Sequence, residues 1–303
     1  MLKYRGENMI LKIKPTFVKK LWGGNYYSKL YKKDLEKIGE VVLFSTYHEF
    51  DLIFFDNNGH EHALKSKYPH IYLQLFSLYP LTLKFIDAKD DLSIQVHPDN
   101  QYAKKYHQSL GKEEYWLILD ALPNATISIG HNITDNFLLK DVIKNNHLHQ
   151  FMIHYKIQKG DTFYIPSNTV HAIQKNTRIL EIAQASVLNF RVDDYQRLDE
   201  NGQLRTLHIQ EAIDVMKIPD SDVITQFPSH LFSFDLINVF KEDSISLKDS
   251  IILCVVISGT GMINGTAIHE GECLVIHQEN ILKCNGNMEI GLLSSNKKNH
   301  GNT

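Results

Sequence analysis

The chain has 303 residues, of which 43% are hydrophobic and 22% are charged, and its formal net charge is −3 at pH 7. This composition is that of a folded globular protein and excludes the disordered and collagen-like classes. The length allows two ordinary domains with separate cores. The net charge provides no basic surface for nucleic acid, so no nucleic-acid partner is expected.

Apolar runs and cysteines restrict the location. The longest apolar run, Ile251 to Ile257, has seven residues, whereas a membrane helix needs about 20, so no membrane partner is expected. The first residues alternate charged and apolar types without the apolar segment of a signal peptide, which predicts a cytoplasmic protein. The three cysteines lie in or beside apolar, strand-like runs, which predicts buried reduced thiols: Cys254, Cys273 and Cys284.

The first elements are short. Leu21 and Trp22 precede a glycine pair, a pattern that predicts the sharply turning end of a strand. A short helix is predicted within residues 26–35 and a strand within residues 40–47. Lys84 lies in a predicted strand over residues 81–86, among apolar neighbours. Its ammonium group is predicted to lie either at a solvated strand edge or inward, as a ligand for an anion.

Half of a metal site is predicted between Ser93 and Trp116. Gln95 and His97 are two positions apart in a predicted strand, so their side chains point to the same face. The turn-forming residues Pro98 to Asn100 end this strand, and Glu114 stands at the start of the next apolar run. An amide oxygen, an imidazole and a carboxylate are therefore available near one point.

The other half is predicted in GDTFYIPSNTVHAI, residues 160–173. Gly160 and Asp161 form a turn, a strand and a second turn follow, and His171 begins the return strand. Two histidines and a carboxylate are ligands of both catalytic zinc and non-haem iron. The neutral amide of Gln95 as a fourth ligand favours zinc, because an iron oxygenase needs several free positions.

The remaining elements predict two domains. Residues 135–147 have helical spacing behind Thr134 and Asp135, which predicts a helical insertion near residues 131–150. A second helix is predicted over residues 208–216. Residues 223–230 form the best boundary, and short strands with glycine turns follow it. We therefore predict a catalytic barrel over residues 1–225 and a metal-free structural barrel over residues 226–303, in which His269 and His277 have no partner carboxylate at strand-end spacing.

Several motifs together resemble one family. LWGG at 21–24, QVHP at 95–98, GKEEYW at 111–116, PSNTVHA at 166–172 and RVDDYQR at 191–197 resemble class I mannose-6-phosphate isomerase, short bacterial form, in the cupin superfamily. The spacing from Gly160 to His171 is similar to the cupin hairpin motif, with Asn168 where that motif has Gly. Asn is the next best residue for a positive φ, so the turn is expected to persist.

This resemblance implies an all-β dominated fold of two cupin-type jelly-roll barrels with a small helical insertion. It implies an isomerase that interconverts mannose 6-phosphate and fructose 6-phosphate through a zinc-stabilised enediolate, with a small-molecule sugar phosphate as partner and a monomer or weak homo-oligomer as the assembly. The implied zinc ligands are Gln95, His97, Glu114 and His171. The other implied roles are proton transfer or sugar binding by Lys112, charge stabilisation by Arg191, and substrate binding by Lys84 and Trp22.

The chain departs from the family pattern at the pocket. Val187 stands where the family commonly has Asp, Glu113 where Thr is usual, and Phe190 where Tyr is common. These departures leave open a related isomerase with altered substrate preference, or a non-catalytic cupin that binds a sugar phosphate. Two structural alternatives also stay open: Lys112 at a solvated strand edge, and Arg191 in a salt bridge to Asp193 or Asp194.

Overall fold

The computed structural model describes residues 8–48, 50–221 and 232–296, and antiparallel strands dominate it, which confirms the predicted fold class. The strands are β1 (Met9–Ile13), β2 (Thr16–Gly24), β3 (Ile38–Ser45), β4 (Ile53–Phe55), β5 (Glu61–Ala63), β6 (Leu81–Ala88), β7 (Ile94–Val96), β8 (Glu114–Ala121), β9 (Thr126–His131), β10 (Met152–Lys156), β11 (Thr162–Ile165), β12 (His171–Ile173), β13 (Thr177–Gln184), β14 (Phe190–Asp193), β15 (Phe232–Ser246), β16 (Ile251–Ile263), β17 (Thr266–His269), β18 (Cys273–His277) and β19 (Ile281–Ser295). The helices are α1 (Tyr26–Leu30), α2 (Leu64–Lys67), α3 (Pro69–Leu78), α4 (Asn100–His107), α5 (Asn136–Lys144) and α6 (Ile209–Val215), and Leu148–Gln150 forms a 3-10 turn.

The chain divides into two compact units that differ from the predicted domains. One unit comprises Met1–Thr16, Leu43–Pro80 and Pro228–Thr303, and the other comprises Phe17–Val42 and Leu81–Phe227. The predicted boundary at 225/226 lies outside the described residues. Residues 1–16 and 43–80 join the C-terminal strands rather than the metal-binding unit, because β1 pairs with β18 and with β4.

The unit of residues 17–42 and 81–227 contains two antiparallel sheets. Their strand orders are β11-β8-β13-β6-β2-β3 and β10-β9-β12-β7-β14. Alternation places one side of each strand toward the opposite sheet, and apolar residues from both sheets form a common core. The buried members of this core include Trp22, Ile86, Trp116, Ile118, Ile127, Ile129, Phe163, Ile173 and Ile179.

The helical insertion lies within the predicted range. The carboxylate of Asp135 accepts a hydrogen bond of 2.7 Å from the backbone N–H of Leu138 and caps α5, as the sequence predicted. The buried face consists of Leu139, Val142 and Ile143. Phe137, which is 83% exposed, and Leu138, which is 41% exposed, lie outside this buried face.

The other unit contains one eight-stranded antiparallel sheet. Its order is β15-β19-β16-β18-β1-β4-β5, and β17 pairs with β16. Cys254, Cys273 and Cys284 are free and buried, which confirms the prediction of reduced thiols. No helix among the described residues is long and apolar enough to cross a membrane.

Candidate metal centre

The side chains of His97, Glu114 and His171 meet between the two sheets of their unit. One ligand atom from each residue lies within 4.8 Å of the others, and each residue is 1% exposed. Nε2 of His97 is 3.0 Å from Oε1 of Glu114, and Nε2 of His171 is 3.7 Å from Oε2. His171 stands directly opposite Gln95 in the β12–β7 pair, which brings the two halves of the predicted site together.

Both histidines direct Nε2 toward the site. Nδ1 of His97 lies 2.8 Å from the carbonyl oxygen of Leu188, and Nδ1 of His171 lies 2.9 Å from that of Thr169. A carbonyl oxygen only accepts, so each Nδ1 carries the proton and each Nε2 keeps a lone pair in the neutral ring. Burial, followed by the charge of Lys112, lowers the pKa of His97 to about 3, and burial lowers the pKa of His171. Both rings are therefore neutral at physiological pH.

Glu114 provides the negative charge of the site. Burial alone would raise the pKa of this carboxyl, but the positive charge of Lys112 outweighs burial and holds the pKa well below its usual range. Nε1 of Trp116 also donates a 2.9 Å hydrogen bond to Oε2 of Glu114, which favours the ionised form. Two neutral imidazoles and one carboxylate form a donor set that suits a divalent cation such as zinc.

Gln95 lies beside the three ligands, with its amide nitrogen toward the site. Nε2 of Gln95 is 3.4 Å from Nε2 of His171, and Oε1 accepts a 2.6 Å hydrogen bond from Nδ2 of Asn189. Oδ1 of Asn189 is buried and has no hydrogen-bond partner among the described residues. Rotating both side-chain amides by about 180° would direct Oε1 of Gln95 to the site. Nε2 of Gln95 would then donate a hydrogen bond to Oδ1 of Asn189. Gln95 therefore fits as a ligand after this rotation.

A chain of buried charges extends from Glu114 away from the site. Nζ of Lys112 lies 2.7 Å from Oε1 of Glu114 and 3.8 Å from Oε1 of Glu181. Oε1 of Glu181 is 3.0 Å from Nζ of Lys84, which also contacts Glu40 at 3.4 Å. Burial and then Glu114 raise the pKa of Glu181. Although burial opposes it, Glu181 and Glu40 raise the pKa of Lys84, which keeps this ammonium charged. Both lysines thus lie inward, not at a solvated edge.

Arg191 stands next to the site, but its guanidinium contacts another part of the chain. Its Cα is opposite that of Gln95 in the β14–β7 pair, and its Nη1 donates a 2.7 Å hydrogen bond to the Thr206 carbonyl. Nε of Arg191 is buried without a hydrogen-bond partner among the described residues. The carboxylate of Asp194 instead pairs with Arg197 and Arg205.

Trp22 corrects the sequence-based assignment of substrate binding. It is only 4% exposed and packs in the apolar core with Ile86 and Trp116. A side chain enclosed in this core offers no surface to a sugar phosphate. Trp22 is therefore a packing residue, which is the common role of a buried aromatic side chain.

Sequence reasoning missed Glu181 and Asn189. Glu181 is the one acidic residue in the apolar run RILEIA, residues 178–183, and a charge among apolar strand residues marks a buried ion pair or a functional group. No sequence pattern identified Asn189, because its role depends on a side-chain hydrogen bond to Gln95, 94 positions earlier in the chain.

Comparisons with known proteins agree with this geometry. No protein-family model matches the chain. Mannose-6-phosphate isomerase ManA of Bacillus subtilis is 31% identical over 278 residues, which cover 84% of this chain and 88% of ManA. The chain belongs to the mannose-6-phosphate isomerase family.

Solved structures share the fold of this family member. The crystal structure of the mannose 6-phosphate isomerase from Bacillus subtilis has a TM-score of 0.83 at 27% identity, covering 94% of this chain and 99% of that one. A zinc-bound holo mannose 6-phosphate isomerase is 13% identical, with a TM-score of 0.72 over 94% of this chain and 99% of that one. The sequence-based resemblance to the mannose-6-phosphate isomerase family is thereby confirmed.

Proposed function

We propose that this chain is a zinc-dependent aldose–ketose isomerase that interconverts mannose 6-phosphate and fructose 6-phosphate. The observation that carries the proposal is the convergence of two neutral Nε2 atoms and one ionised carboxylate within 4.8 Å, in a member of the mannose-6-phosphate isomerase family. A small sugar phosphate as partner and a cytoplasmic location belong to the same proposal. They are supported by the family and by the composition.

Zinc would be held by His97, Glu114 and His171, with the oxygen of Gln95 as fourth ligand. The zinc-bound relative supports the choice of metal. When bound, a divalent cation stabilises the negative charge that develops on substrate oxygens during aldose–ketose isomerisation. Catalytic zinc sites keep one position for water or substrate, so these residues would hold the ion and leave it accessible to a substrate oxygen.

Lys112 is the proposed proton-transfer group. The reaction moves a proton from carbon 2 of the aldose to carbon 1: the neutral amine of Lys112 would take the proton from carbon 2, and the ammonium so formed would return it to carbon 1. Nζ of Lys112 lies 2.7 Å from Glu114 and 3.5 Å from Nε2 of His97, so its N–H donors border the ligand atoms. Contacts to Glu114 and Glu181 hold this side chain in place, which is the preorganisation that proton transfer needs.

Arg191 is proposed to stabilise charge on the substrate. Its buried Nε is without a hydrogen-bond partner among the described residues, so this donor is available to an anionic oxygen. Lys84 is proposed to act without contacting the reacting atoms. Its positive charge offsets the negative charges of Glu181 and Glu40 near Lys112.

The substrate preference is supported by the family more than by the pocket residues. Val187 is 53% exposed, so the position that is commonly acidic in the family faces solvent here. Glu113 accepts a hydrogen bond from the hydroxyl of Tyr164, which lies in β11. This contact holds the carboxylate of Glu113 beside β11. These two residues are the basis for a second candidate, an isomerase of the same mechanism with another aldose phosphate as its preferred substrate.

A coupled assay separates these candidates. The zinc-loaded protein is given mannose 6-phosphate, and formation of fructose 6-phosphate is followed with and without a chelator. Other aldose 6-phosphates and unphosphorylated mannose are assayed in parallel. The proposal predicts the highest kcat/KM for mannose 6-phosphate and its loss in chelator. Higher kcat/KM for another aldose phosphate would favour the second candidate, and binding without turnover of any sugar would indicate a non-catalytic cupin.

A further inference from the structure

The turn before His171 is tied to the strand end after His97 by one side chain, that of Asn168. Oδ1 of Asn168 accepts a 3.0 Å hydrogen bond from the backbone N–H of Asp99, and Nδ2 donates a 3.0 Å hydrogen bond to Oδ2 of the Asp99 carboxylate. The backbone N–H of Asn168 also donates a 2.7 Å hydrogen bond to the carbonyl oxygen of His97. Two side-chain hydrogen bonds thus join residues 69 positions apart, and one backbone hydrogen bond joins the same two loops.

Each end of this connection lies close to a metal ligand. Asp99 follows His97 by two residues, and Asn168 precedes His171 by three. Oδ1 of Asp99 accepts a 2.8 Å hydrogen bond from Tyr102 N–H at the start of α4, so the Asp99 end is anchored. A change in the distance between the two loops would therefore change the distance between the two Nε2 atoms.

The turn needs little from the Asn168 side chain for its own conformation. Asn168 has φ of 69°, a left-handed conformation that glycine adopts at no steric cost. If conformation were the only requirement, glycine, which the cupin motif has at this position, would serve equally well. The side-chain amide of Asn168 adds two hydrogen bonds to Asp99 that a glycine could not make.

We infer that Asn168 is a positioning residue of the metal centre, which sets the separation of His97 and His171 and thereby the affinity for zinc. The inference rests on the proposed function, because it takes these histidines as zinc ligands. Groups that orient metal-bound histidines typically contribute about 10- to 100-fold to metal affinity. The role differs from catalysis, because Asn168 acts through the ligand loops.

The decisive variant is Asn168→Gly, which keeps the positive φ and removes both side-chain hydrogen bonds. Asn176→Gly is the matched control, because Asn176 has φ of 64° in the same unit and joins no ligand loops. Zinc affinity of the full chain is measured by competition with a chromophoric chelator, and the melting temperature is measured with and without zinc.

We expect Asn168→Gly to bind zinc about 10-fold or more weakly than the wild type, with a smaller rise in melting temperature on zinc addition. Asn176→Gly should keep wild-type affinity, and metal-free Asn168→Gly should melt somewhat below metal-free Asn176→Gly, because it loses two side-chain hydrogen bonds. Asn168→Asp should also weaken binding, because it places a second carboxylate against Asp99.

Two results would overturn the inference in different ways. Wild-type zinc affinity in Asn168→Gly would refute the positioning role and leave the proposed function intact. A wild-type chain that binds no zinc would refute the proposed function, and the positioning role with it.

Discussion

Nζ of Lys112 lies 2.7 Å from Oε1 of Glu114, so a cationic side chain contacts one of the proposed metal ligands directly. The same oxygen is 3.0 Å from Nε2 of His97. Nζ of Lys112 is also 3.8 Å from Oε1 of Glu181, so two carboxylates hold this side chain beside the residues that would bind zinc.

The first prediction concerns this lysine. Lys112→Met should lower kcat by about 100- to 10,000-fold, the usual contribution of a positioned acid or base, while zinc stays bound. Lys20→Met is the control, because Lys20 pairs with Glu40 at the far end of the charge chain. Single-turnover kinetics and metal analysis provide the measurement. Wild-type kcat in Lys112→Met would show that Lys112 takes no part in proton transfer and has only a structural role.

The second prediction concerns the buried ion pairs of Lys84. Lys84→Met removes the cation between Glu181 and Glu40 and leaves buried carboxylates without it, which should cost about 3–5 kcal/mol of the free energy of unfolding. Lys84→Met combined with Glu181→Gln should recover part of this loss. Lys12→Met, which breaks a pair with Glu272 whose side chains are 26% and 23% exposed, should cost about 1 kcal/mol. If urea denaturation gave equal losses in the free energy of unfolding for Lys84→Met and Lys12→Met, the buried pairs of Lys84 would stabilise the fold no more than a partly exposed pair does.

The third prediction concerns Arg191. Arg191→Ala should lower kcat by about 100-fold or more without loss of zinc, by analogy with removal of one preorganised donor. Arg191→Lys should not restore it, because lysine lacks the planar fork. Arg178→Ala is the control, since Arg178 pairs with the exposed Asp120. Unchanged kcat in Arg191→Ala would indicate that the guanidinium only holds the Thr206 backbone.

A fourth prediction concerns pH in the metal-free protein. His97 and His171 have lowered pKa values in the folded state, so below pH 6.5 the unfolded chain binds more protons than the folded chain. The free energy of unfolding should therefore fall as pH decreases from 6.5 toward 3, by about 1.4 kcal/mol per pH unit for a histidine that stays neutral. Urea denaturation in chelator measures the slope, and His97→Gln should reduce it. An unchanged slope in that variant would show that His97 is not held neutral.

Local patterns predicted the residues that cluster, His97, Glu114 and His171, better than their surroundings. Alternation along one strand placed Gln95 and His97 on one face, and the turn residues before His171 placed it at the start of a strand. The contacts of Asn168 with Asp99 join residues 69 positions apart, and no local period encodes them. The Glu181 pairs depend in the same way on strands that meet only in the folded sheet.

The limits of the domains and the place of Trp22 also depend on contacts between distant residues, which local sequence patterns do not encode. Residues 9–13 look like any N-terminal strand, and only their pairing with β18 assigns them to the C-terminal unit. Trp22 stands beside glycines in a family motif, which suggested a role in the pocket, whereas its side chain completes the core. A motif match identifies which residues matter, and packing decides whether they contact a ligand.

The measurement that tests the central claim most directly is zinc titration of the chelator-treated chain with activity on mannose 6-phosphate followed at each addition. Activity should rise linearly and stop at about one equivalent of zinc in the wild type and in His269→Ala, whose imidazole is exposed in the other unit. His97→Ala and His171→Ala should bind zinc far more weakly and stay inactive. Full activity in the zinc-free chain, or one tightly bound equivalent in both ligand variants, would contradict a catalytic zinc at His97, Glu114 and His171.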